Sequence, residues 1–494
     1  MNRMLSDVAT PQFQSFNLSQ TLIQQELNGI FGSEMLANLK HILNMYKVYE
    51  QGAEFSPEGG NNGDYVPAQH RYKIIKGLID KEARFLFSVP PTITLEALGE
   101  EKNEKILSEN QALVNEVLKR NHFNSKLVRA AKDCLIGGRI AIVANFNSSG
   151  IDINFIPSLE FVYETDPADV ELMTKFIQFY SVVVNEEKSQ QRIYKKKWEL
   201  KNGYVYVTEE LYDGNARLVE TLIPETKTKF EYIPAWVVIN EGLTGDAFGV
   251  SDVEAIEEDE AWFSKLGSKD IDSIRKGTDQ IVYTMDVNPK ATSSLSRAAG
   301  SFWDLNTDPA ATEGKTGQVG TLDNSMAYYP ALDTTLKRIR ANMYSQLDVP
   351  DTTSEALQGI VTSGKTMEAI YWGLMVRCGE KMLDWIPAIE GMVQAIIHGS
   401  ILYPESKKVY TDANISEEGY KIKVENSYPI LRDESEEKTT DVMEINAKVM
   451  SRKSYLKKWR GLTDDEATKE LEQIQLEQNM FEDSNYFLGS GEEE

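Results

Sequence analysis

The 494-residue sequence is poor in the residues that form disulfides and metal centres. Its two cysteines, Cys134 and Cys378, lie far apart in apolar stretches, and its four histidines have no regular spacing. A disulfide framework needs pairs of cysteines, and a zinc site needs closely spaced Cys or His ligands. We therefore expect two buried thiols in a reducing compartment, no metal ion and no other cofactor.

A long apolar run without charges is also missing. The first twenty residues contain no apolar core of the length that a secretory signal needs. A membrane-spanning helix needs about 20 consecutive apolar residues with few or no charges. The most apolar stretch, residues 367–400, is interrupted by Arg377, Glu380, Lys381, Asp384 and Glu390. We therefore expect a soluble chain that has no membrane partner and is made inside a cell.

Basic residues are outnumbered by acidic ones, 52 against 77, and the net charge is −25. Self-repulsion of this sign opposes non-specific adsorption to nucleic acid and to anionic membranes. We therefore do not expect a protein that coats DNA tightly.

The spacing of apolar residues predicts an α+β chain with several lobes, since single domains rarely exceed roughly 250–300 residues. Helical spacing extends over residues 34–52, 70–89 and 104–120. From residue 139 to 240 an alternating pattern predicts one antiparallel meander of roughly six or seven strands. A helix with Ser251 as its N-cap follows, and the acidic run from Asp252 to Glu260 complements the positive end of this helix. The carboxylates from Glu257 to Glu260 indicate a solvated face.

The second half of the sequence is predominantly helical. Residues 278–330 predict a small lobe of short strands and one small helix, and residues 331–350 predict a further helix. After a polar loop, the apolar period continues for roughly eight turns, and Pro387 should kink that helix. From Asp433 the sequence is dense in charge and predicts a pair of solvated amphipathic helices.

The segment GIVTSGKT places Gly359, Gly364, Lys365 and Thr366 at the fixed positions of a phosphate-binding loop. Such a loop follows a buried strand, and a later Asp holds magnesium. The preceding segment is polar and no suitable Asp follows, so we do not expect an enzyme. A nucleotide-binding ATPase and an intracellular scaffold or adaptor stay as alternatives. A nucleotide-binding assay with Lys365→Ala as control tests the ATPase.

Six features occur in the order typical of one protein family. They are HILNMYKVYEQGAEF, RYKIIKGLIDKEARFLFSVPPTI, YIPAWVVINEGLTGDAFGVSDVEAI, VGTLDNSMAYYPALDTTLKRIRANMYSQLDVPD, the Ser363-Gly364 step and AKVMSRKSYLKKWRGLTDDEATKELEQIQLEQ. Each motif is weak alone, but together they cover nearly the whole chain. The sequence resembles the portal proteins of tailed bacteriophages, in the branch typified by long-tailed phages of Gram-positive hosts.

The resemblance implies a portal-type ring subunit. Its parts would be a wing (1–250), a first stem helix (251–277), a clip (278–330), a second stem helix (331–350), a tunnel loop (351–364), a long kinked helix returning to the wing (365–432) and a crown (433–494). The protein would be non-enzymatic and would form the channel for DNA packaging and ejection at one capsid vertex.

The resemblance also implies partners and a location. The partners would be about eleven further copies in a ring of about twelve, double-stranded DNA, the terminase large subunit, the major capsid and scaffolding proteins, and a head–tail connector or adaptor protein. The protein would be in the virion, and in the host cytoplasm during assembly.

Two groups of residues are candidates for the channel wall. The tunnel-loop candidates are Thr352, Thr353, Ser354, Glu355, Gln358, Gly359, Thr362, Ser363, Gly364 and Lys365. The stem-helix charged candidates are Lys265, Lys269, Arg275, Lys276, Lys337, Arg338 and Arg340. These cations either make sparse phosphate contacts or pair with Asp270, Asp272 and Asp333 between subunits. We favour pairing, because phosphate contacts hold DNA and would slow its sliding.

Overall fold

The computed structural model describes residues 2–3, 30–57, 66–98, 104–185, 190–278, 281–287, 307–310, 316–322, 328–352, 364–429 and 434–488, except residues 214, 244 and 418. This part of the chain is α+β, as predicted. It divides into two compact units. One comprises Met1–Asp351 with Gly373–Pro429, and the other comprises Thr352–Trp372 with Ile430–Glu494.

The helices are α1 (Ile30–Gln51), α2 (Ile74–Phe87), α3 (Glu104–Arg120), α4 (Phe123–Gly137), α5 (Asp252–Thr278), α6 (Tyr329–Gln346), α7 (Gly364–Leu402), α8 (Pro404–Lys407), α9 (Glu434–Asn446), α10 (Arg452–Arg460) and α11 (Asp464–Leu488). The strands are β1 (Asn2–Arg3), β2 (Thr92–Ala97), β3 (Arg139–Asn147), β4 (Gly150–Pro157), β5 (Phe161–Thr165), β6 (Met173–Asn185), β7 (Gln190–Lys201), β8 (Tyr204–Tyr212), β9 (Leu218–Lys227), β10 (Ala235–Ile239), β11 (Ile281–Met285), β12 (Gln318–Leu322) and β13 (Tyr420–Glu425).

The N-terminal helices follow the apolar period of the sequence. In α2 the residues Ile75, Leu78, Ile79 and Leu86 are buried on one side. Helix α3 has the bounds predicted from its spacing. Helix α4 ends where Gly138 adopts a left-handed conformation, with φ of 73°, which glycine tolerates without strain.

The strands between residues 139 and 239 form two sheets rather than the single meander predicted. One sheet has the order β10-β3-β4, and the other has the order β1-β6-β7-β8-β9 with β5 also paired to β6. The prediction was wrong because β10 pairs with β3, far back in the sequence, through partners such as Val238 and Ile140. Strand alternation shows which face of a strand is buried, but it does not identify the neighbouring strand.

Five of the observed strands were not predicted: β1, β2, β9, β12 and β13. Strand β9 contains Pro224 and lies at the edge of its sheet, where proline is tolerated because one side of the strand needs no ladder hydrogen bonds. Strands β2 and β13 pair with each other, with Ile93 opposite Val424. These two strands are more than 300 residues apart in the chain, so only the tertiary fold brings them together.

A cluster of buried aromatic and aliphatic side chains joins the two sheets. Phe161 stacks on Phe176, with ring centroids 5.5 Å apart, and Phe176 contacts Trp198 edge to face at 5.6 Å. Phe230 and Ala235 extend this core toward the strand β10. The side chains of the two sheets therefore form one core.

Between α5 and α6 the chain forms a short antiparallel hairpin, β11–β12, in which Ile281 lies opposite Leu322. The strand predicted at residues 280–286 is confirmed. The Gly-rich segment 311–320 contributes the start of β12, which was not predicted to be a strand. The small helix predicted around residues 293–299 and the strand predicted at 301–306 lie outside the described residues.

Helix α7 is the longest helix of the described chain, and Pro387 lies inside it as predicted. By length and composition alone, Met367–Leu402 could cross a membrane, and 56% of its most apolar window is buried inside the protein. Core helices of soluble proteins have the same composition, so this observation is weak evidence for a membrane span.

The described part of the C-terminal unit contains three helices after residue 433, where a pair was predicted. Helix α10 is capped by Ser451, whose hydroxyl accepts a hydrogen bond from the Ser454 N–H at 3.0 Å. Helix α11 starts with a capping box: the Thr463 N–H donates to the Glu466 carboxylate at 2.9 Å, and the Glu466 N–H donates to the Thr463 hydroxyl at 3.4 Å. The break between α10 and α11 falls at Gly461, which has φ of 65°.

Candidate functional site

Helices α5 and α6 pack against each other as an antiparallel pair. The amides of Asn342 and Gln346 donate to the same carboxylate oxygen of Asp259, at 2.6 and 3.1 Å. At the other end, the Tyr328 hydroxyl donates to Asp270 at 3.4 Å. Later residues of α5 therefore contact earlier residues of α6. The hairpin β11–β12 connects the two helices in sequence.

The part of this pair next to the hairpin contains an open groove of about 360 Å³. Its lining is mainly apolar and consists of Leu266, Lys269, Asp270, Ser273, Tyr328, Ala331, Leu332 and Thr335.

The predicted stem cations have varied surroundings. Lys337 pairs with Asp333 at 3.2 Å, and Arg275 pairs with Asp272 at 3.4 Å, one helical turn away in each case. Two of the predicted acidic partners thus contact cations of their own chain. The Lys337–Asp333 pair is exposed, and such pairs contribute at most about 1 kcal/mol.

The other stem cations share no single kind of partner. Arg340 lies 3.5 Å from Asp351, and the ammonium of Lys265 lies 4.9 Å from the Trp262 ring centroid. Lys269 lines the groove. Arg338 is exposed, and the described residues offer it no ion pair. The side chain of Lys276 lies outside the described residues. Which of these cations face a channel or another subunit stays a prediction.

The predicted tunnel-loop residues are mostly undescribed. Thr353, Ser354, Glu355, Gln358, Gly359, Thr362 and Ser363 lie outside the described residues. Thr352 is partly buried at the end of a described segment, and Gly364 begins α7, followed by Lys365 and Thr366 in the first turn. The end of the GIVTSGKT motif therefore opens a helix.

Helix α5 binds an extended segment of the N-terminal region through a row of polar side chains spaced four residues apart. The hydroxyls of Ser264 and Ser268 accept hydrogen bonds from the Tyr72 and His70 N–H groups at 3.3 and 2.9 Å. One turn before, Glu260 accepts from the Ile75 N–H at 3.0 Å. One turn after, Asp272 accepts from the Ala68 N–H at 3.0 Å. This row supplies hydrogen-bond partners for four backbone donors that are not paired within a helix or a strand.

Six side chains meet at the base of α5, and we call them the charge cluster: Glu82, Asn240, Glu241, Asp252, Arg377 and Lys381. The ammonium of Lys381 lies 2.6 Å from Asp252 and 2.9 Å from Glu82. Arg377 lies 3.0 Å from Glu82, 3.1 Å from Asp252 and 2.7 Å from Glu241. The cluster therefore connects α2, α5 and α7.

Most of the charge cluster is shielded from water. The side chains of Glu82 and Asp252 are 0% exposed and that of Lys381 is 3% exposed, whereas Glu241 at the rim is 41% exposed. A buried charge is costly unless it is paired and hydrogen-bonded. Removing one member of a buried ion pair costs about 3–5 kcal/mol, because the remaining charge loses its partner.

The pKa values of the two buried acids move in opposite directions. Burial, followed by the nearby Asp252 carboxylate, raises the pKa of Glu82 to about 7. Burial alone would also raise the pKa of Asp252, but Lys381 and Arg377 lower it below its usual range. Lys381 itself has a raised pKa, because Asp252 and Glu82 outweigh its burial. Asp252 is therefore the permanent anion of the cluster.

Helix α5 begins in the segment GVSDV, residues 249–253. The Ser251 hydroxyl accepts from the Val253 N–H at 3.2 Å, which confirms its predicted N-cap role, and donates to the Ile136 carbonyl at 2.7 Å. Gly249 has φ of 66°, and a Cβ at this position would lie 2.2 Å from the Gly138 carbonyl oxygen. Asp252 then accepts from the Asn240 amide at 2.8 Å. Gly249, Ser251 and Asp252 thus hold the start of α5 on its neighbours.

The interpretation of Glu257 to Glu260 as a solvated face was wrong for Glu260, and Asp252 at the start of the same acidic run is buried as well. Asp252 and Glu260 are both buried, and both accept hydrogen bonds from other elements. Sequence reasoning also missed Glu82, Arg377 and Lys381 as a group. A signal was available, because Arg377 and Lys381 are two basic residues one turn apart in a predominantly apolar helix.

Neither a catalytic nor a metal centre emerges among the described residues. Cys134 and Cys378 are both free and buried, as predicted. Within the same part of the chain, no group of three or more His, Cys, Asp or Glu side chains could hold a metal ion.

Comparison with known proteins gives one result. A family model described as phage portal protein, SPP1 Gp6-like, matches residues 33–483. No curated protein matches the chain.

Proposed function

Because the chain belongs to the phage portal protein family, we propose that its copies form a ring at one capsid vertex and that DNA enters and leaves the capsid through this ring. Phage portal proteins are structural components of the virion capsid rather than enzymes. The observation that carries the proposal is the family match, which covers residues 33–483.

In this proposal, α5 and α6 are the two stem helices and the segment between them is the clip. Their antiparallel packing and the hairpin β11–β12 support the assignment, since a hairpin at the end of a helix pair can project from the body of the subunit. Residues 1–250 would form the wing, together with the return of the chain over 365–432, and residues 433–494 would form the crown.

The residues 351–364 would form the tunnel loop at the narrowest part of the channel. Glu355 is the only charged residue between Thr352 and Gly364, so the loop can approach a duplex without anchoring to its phosphates. Lys365 is the basic candidate for a DNA contact there. Deletion of the loop should impair DNA packaging or retention.

The ring would have about twelve copies and would bind several partners in turn. The terminase large subunit would supply the energy for packaging by hydrolysing ATP. The major capsid and scaffolding proteins would surround the ring during assembly in the host cytoplasm, and a head–tail connector would dock after packaging.

Electron microscopy of the purified full-length chain tests this proposal. We expect rings with a central hole wide enough for a DNA duplex, about 20 Å across, the width of a B-form helix with its two grooves. Sedimentation velocity should give a species of about twelve times the chain mass of 55.8 kDa. A stable monomer at all concentrations would contradict the proposal.

A further inference from the structure

Two exposed stripes on the helix pair have opposite charge. On α5, Glu254, Glu258 and Trp262 are exposed at four-residue intervals, and we call them the acidic stripe. Glu254 lies 3.0 Å from the His41 ring nitrogen of its own chain, so Glu258 is the acid of this stripe that we consider further. On α6, the basic stripe consists of Thr334, Lys337, Arg338, Ala341 and Ser345, all of them exposed. Four-residue and three-residue intervals keep side chains on one face of a helix, so each stripe is a continuous surface.

The residues that hold α5 and α6 together are not part of these stripes. Asp259 and Asp270 of α5 contact Asn342 and Tyr328 of α6. These two contacts fix which residues of α5 and α6 lie side by side. Since the helices are antiparallel, a higher residue number in α5 lies beside a lower residue number in α6. Trp262 therefore lies level with Arg338 along the pair, and Glu258 lies about 6 Å away, one turn along α5.

Trp262, Glu258 and Arg338 are the unexplained features of these surfaces. Trp262 is 47% exposed even though the Lys265 ammonium of the same chain lies 4.9 Å from its ring centroid, and tryptophan is on average among the well-buried residues. Glu258 and Arg338 are both exposed, and the described residues give neither of them an ion pair. An exposed indole beside a carboxylate is a suitable surface for a guanidinium, which stacks on aromatic rings and binds carboxylates with its fork of N–H groups.

A second copy of this chain carries the matching group. In a ring, neighbouring copies meet head to tail, so a surface of one copy faces a different surface of the next. We propose that the basic stripe of one copy packs on the acidic stripe of the next, with Arg338 stacked on Trp262 and paired with Glu258. This inference rests on the proposed ring and names the surfaces that form it.

The composition of the stripes favours this occupant over DNA. The acidic stripe would repel phosphates, and the small side chains of Ala341 and Ser345 allow a neighbouring helix to approach closely. In the ring, the contact would neutralise two charges that have no ion pair within the described part of one chain. It would also remove half-exposed Trp262 from water, which is favourable for an apolar ring.

Charge reversal provides the test. In a ring made only of the Glu258→Arg variant, two positive charges face each other at every contact between copies. In a ring made only of the Arg338→Glu variant, two negative charges do. We expect each single variant to raise the protein concentration needed for half-assembly by about tenfold or more, since like charges across an interface are strongly unfavourable. The double variant Glu258→Arg/Arg338→Glu should assemble as the wild type does.

Mixing the two single variants gives a sharper result. In a ring where they alternate, the new arginine of the Glu258→Arg variant faces the new glutamate of the Arg338→Glu variant at every second contact. The native Glu258 and Arg338 meet at the contacts between. An equimolar mixture should therefore form rings at concentrations where neither variant does, as measured by sedimentation velocity and native mass spectrometry. Far-UV circular dichroism checks that each variant is folded, and the rescue itself excludes misfolding.

The control is Glu220→Arg, which reverses an exposed acid on β9 and should assemble without change. If the wild type forms rings and both single variants do so equally well, this inference is wrong and the proposed function stands. If the rings are intact but Arg338→Glu alone changes DNA retention, the basic stripe faces the channel instead, which also overturns the inference. A wild type that never forms rings overturns both.

Discussion

Glu82 lies in the charge cluster with one carboxylate oxygen, Oε2, that has no hydrogen-bond partner among the described residues. Its other oxygen, Oε1, contacts both Arg377 and Lys381 at 3.0 and 2.9 Å. Burial and the Asp252 carboxylate raise its pKa from the ordinary value of 4.5 to about 7. We expect a proton to bind at Oε2 as the pH falls.

The titration of Glu82 predicts a pH-dependent stability. The pKa of Glu82 is higher in the folded protein than in the unfolded chain, so folding takes up a proton. Protonation of Glu82 therefore contributes fully to the free energy of unfolding below about pH 4.5, and this contribution is lost as the pH rises through about 7. Glu82→Gln does not titrate. Relative to the wild type, its free energy of unfolding should increase by about 3 kcal/mol between pH 4.5 and pH 8.

Urea unfolding of both proteins at several pH values, followed by tryptophan fluorescence, measures this difference. The control is Glu96→Gln, because the Glu96 side chain is 52% exposed in a surface pair with Lys423. The free energy of unfolding of Glu96→Gln should differ from that of the wild type by the same amount at every pH. If the free energies of unfolding of Glu82→Gln and of the wild type changed with pH in the same way, the raised pKa of Glu82 would be contradicted.

At the scale of elements, two different sets of contacts hold α5 in place. Its N-terminus is fixed by the charge cluster and by the close contact of Gly249 with Gly138. Along its length, Ser264 and Ser268 accept backbone N–H groups of the segment before α2, and Glu260 accepts the Ile75 N–H in the first turn of α2. These contacts give α5 a rigid attachment to the elements around it.

Gly249 provides a test of the attachment. Gly249→Ala would put a Cβ 2.2 Å from the Gly138 carbonyl oxygen in a backbone conformation with φ of 66°. Gly245 has φ of 89°, but a Cβ there would have no described atom within 4 Å, so Gly245→Ala has only the conformational cost. We expect Gly245→Ala to lower the free energy of unfolding by about 1–2 kcal/mol, and Gly249→Ala by at least about 3 kcal/mol.

Thermal and urea unfolding of the two alanine variants give the comparison. If the two variants lost the same free energy of unfolding, the backbone between β10 and α5 would adjust to the extra atom. The contact with Gly138 would then not determine the position of the helix.

At the scale of the whole molecule, the excess of acidic residues sets the behaviour toward DNA. Each chain has a charge of −25, and a ring would multiply it. Affinity for DNA comes mainly from Lys and Arg contacts to phosphates, with release of counterions. A channel that conducts DNA benefits from few such contacts.

We therefore expect assembled rings to bind free duplex DNA more weakly than ordinary DNA-binding proteins. In about 0.15 M salt the dissociation constant should be weaker than roughly 10⁻⁴ M, the weak end of the range for non-specific binding. Fluorescence anisotropy with a labelled duplex measures it, with a basic DNA-binding protein as the positive control. Micromolar binding would show that the channel holds its DNA by phosphate contacts.

Several elements could be predicted from the local sequence. The apolar period predicted α3 and α5 with nearly their observed bounds, and Ser251 was identified as an N-cap, because capping and helical spacing depend on residues only a few positions apart. The order of motifs along the chain indicated the portal family from the sequence alone.

Contacts between distant residues were decided only by the tertiary structure. Strand β10 joins β3, and Asp252 meets Lys381 across 129 residues. Composition identified Asp252 as part of an acidic run, but whether a carboxylate is solvated or buried depends on which other element packs on it. Local patterns determine which elements form, whereas the pairing of strands and buried charges depends on the free energy of the whole packed chain.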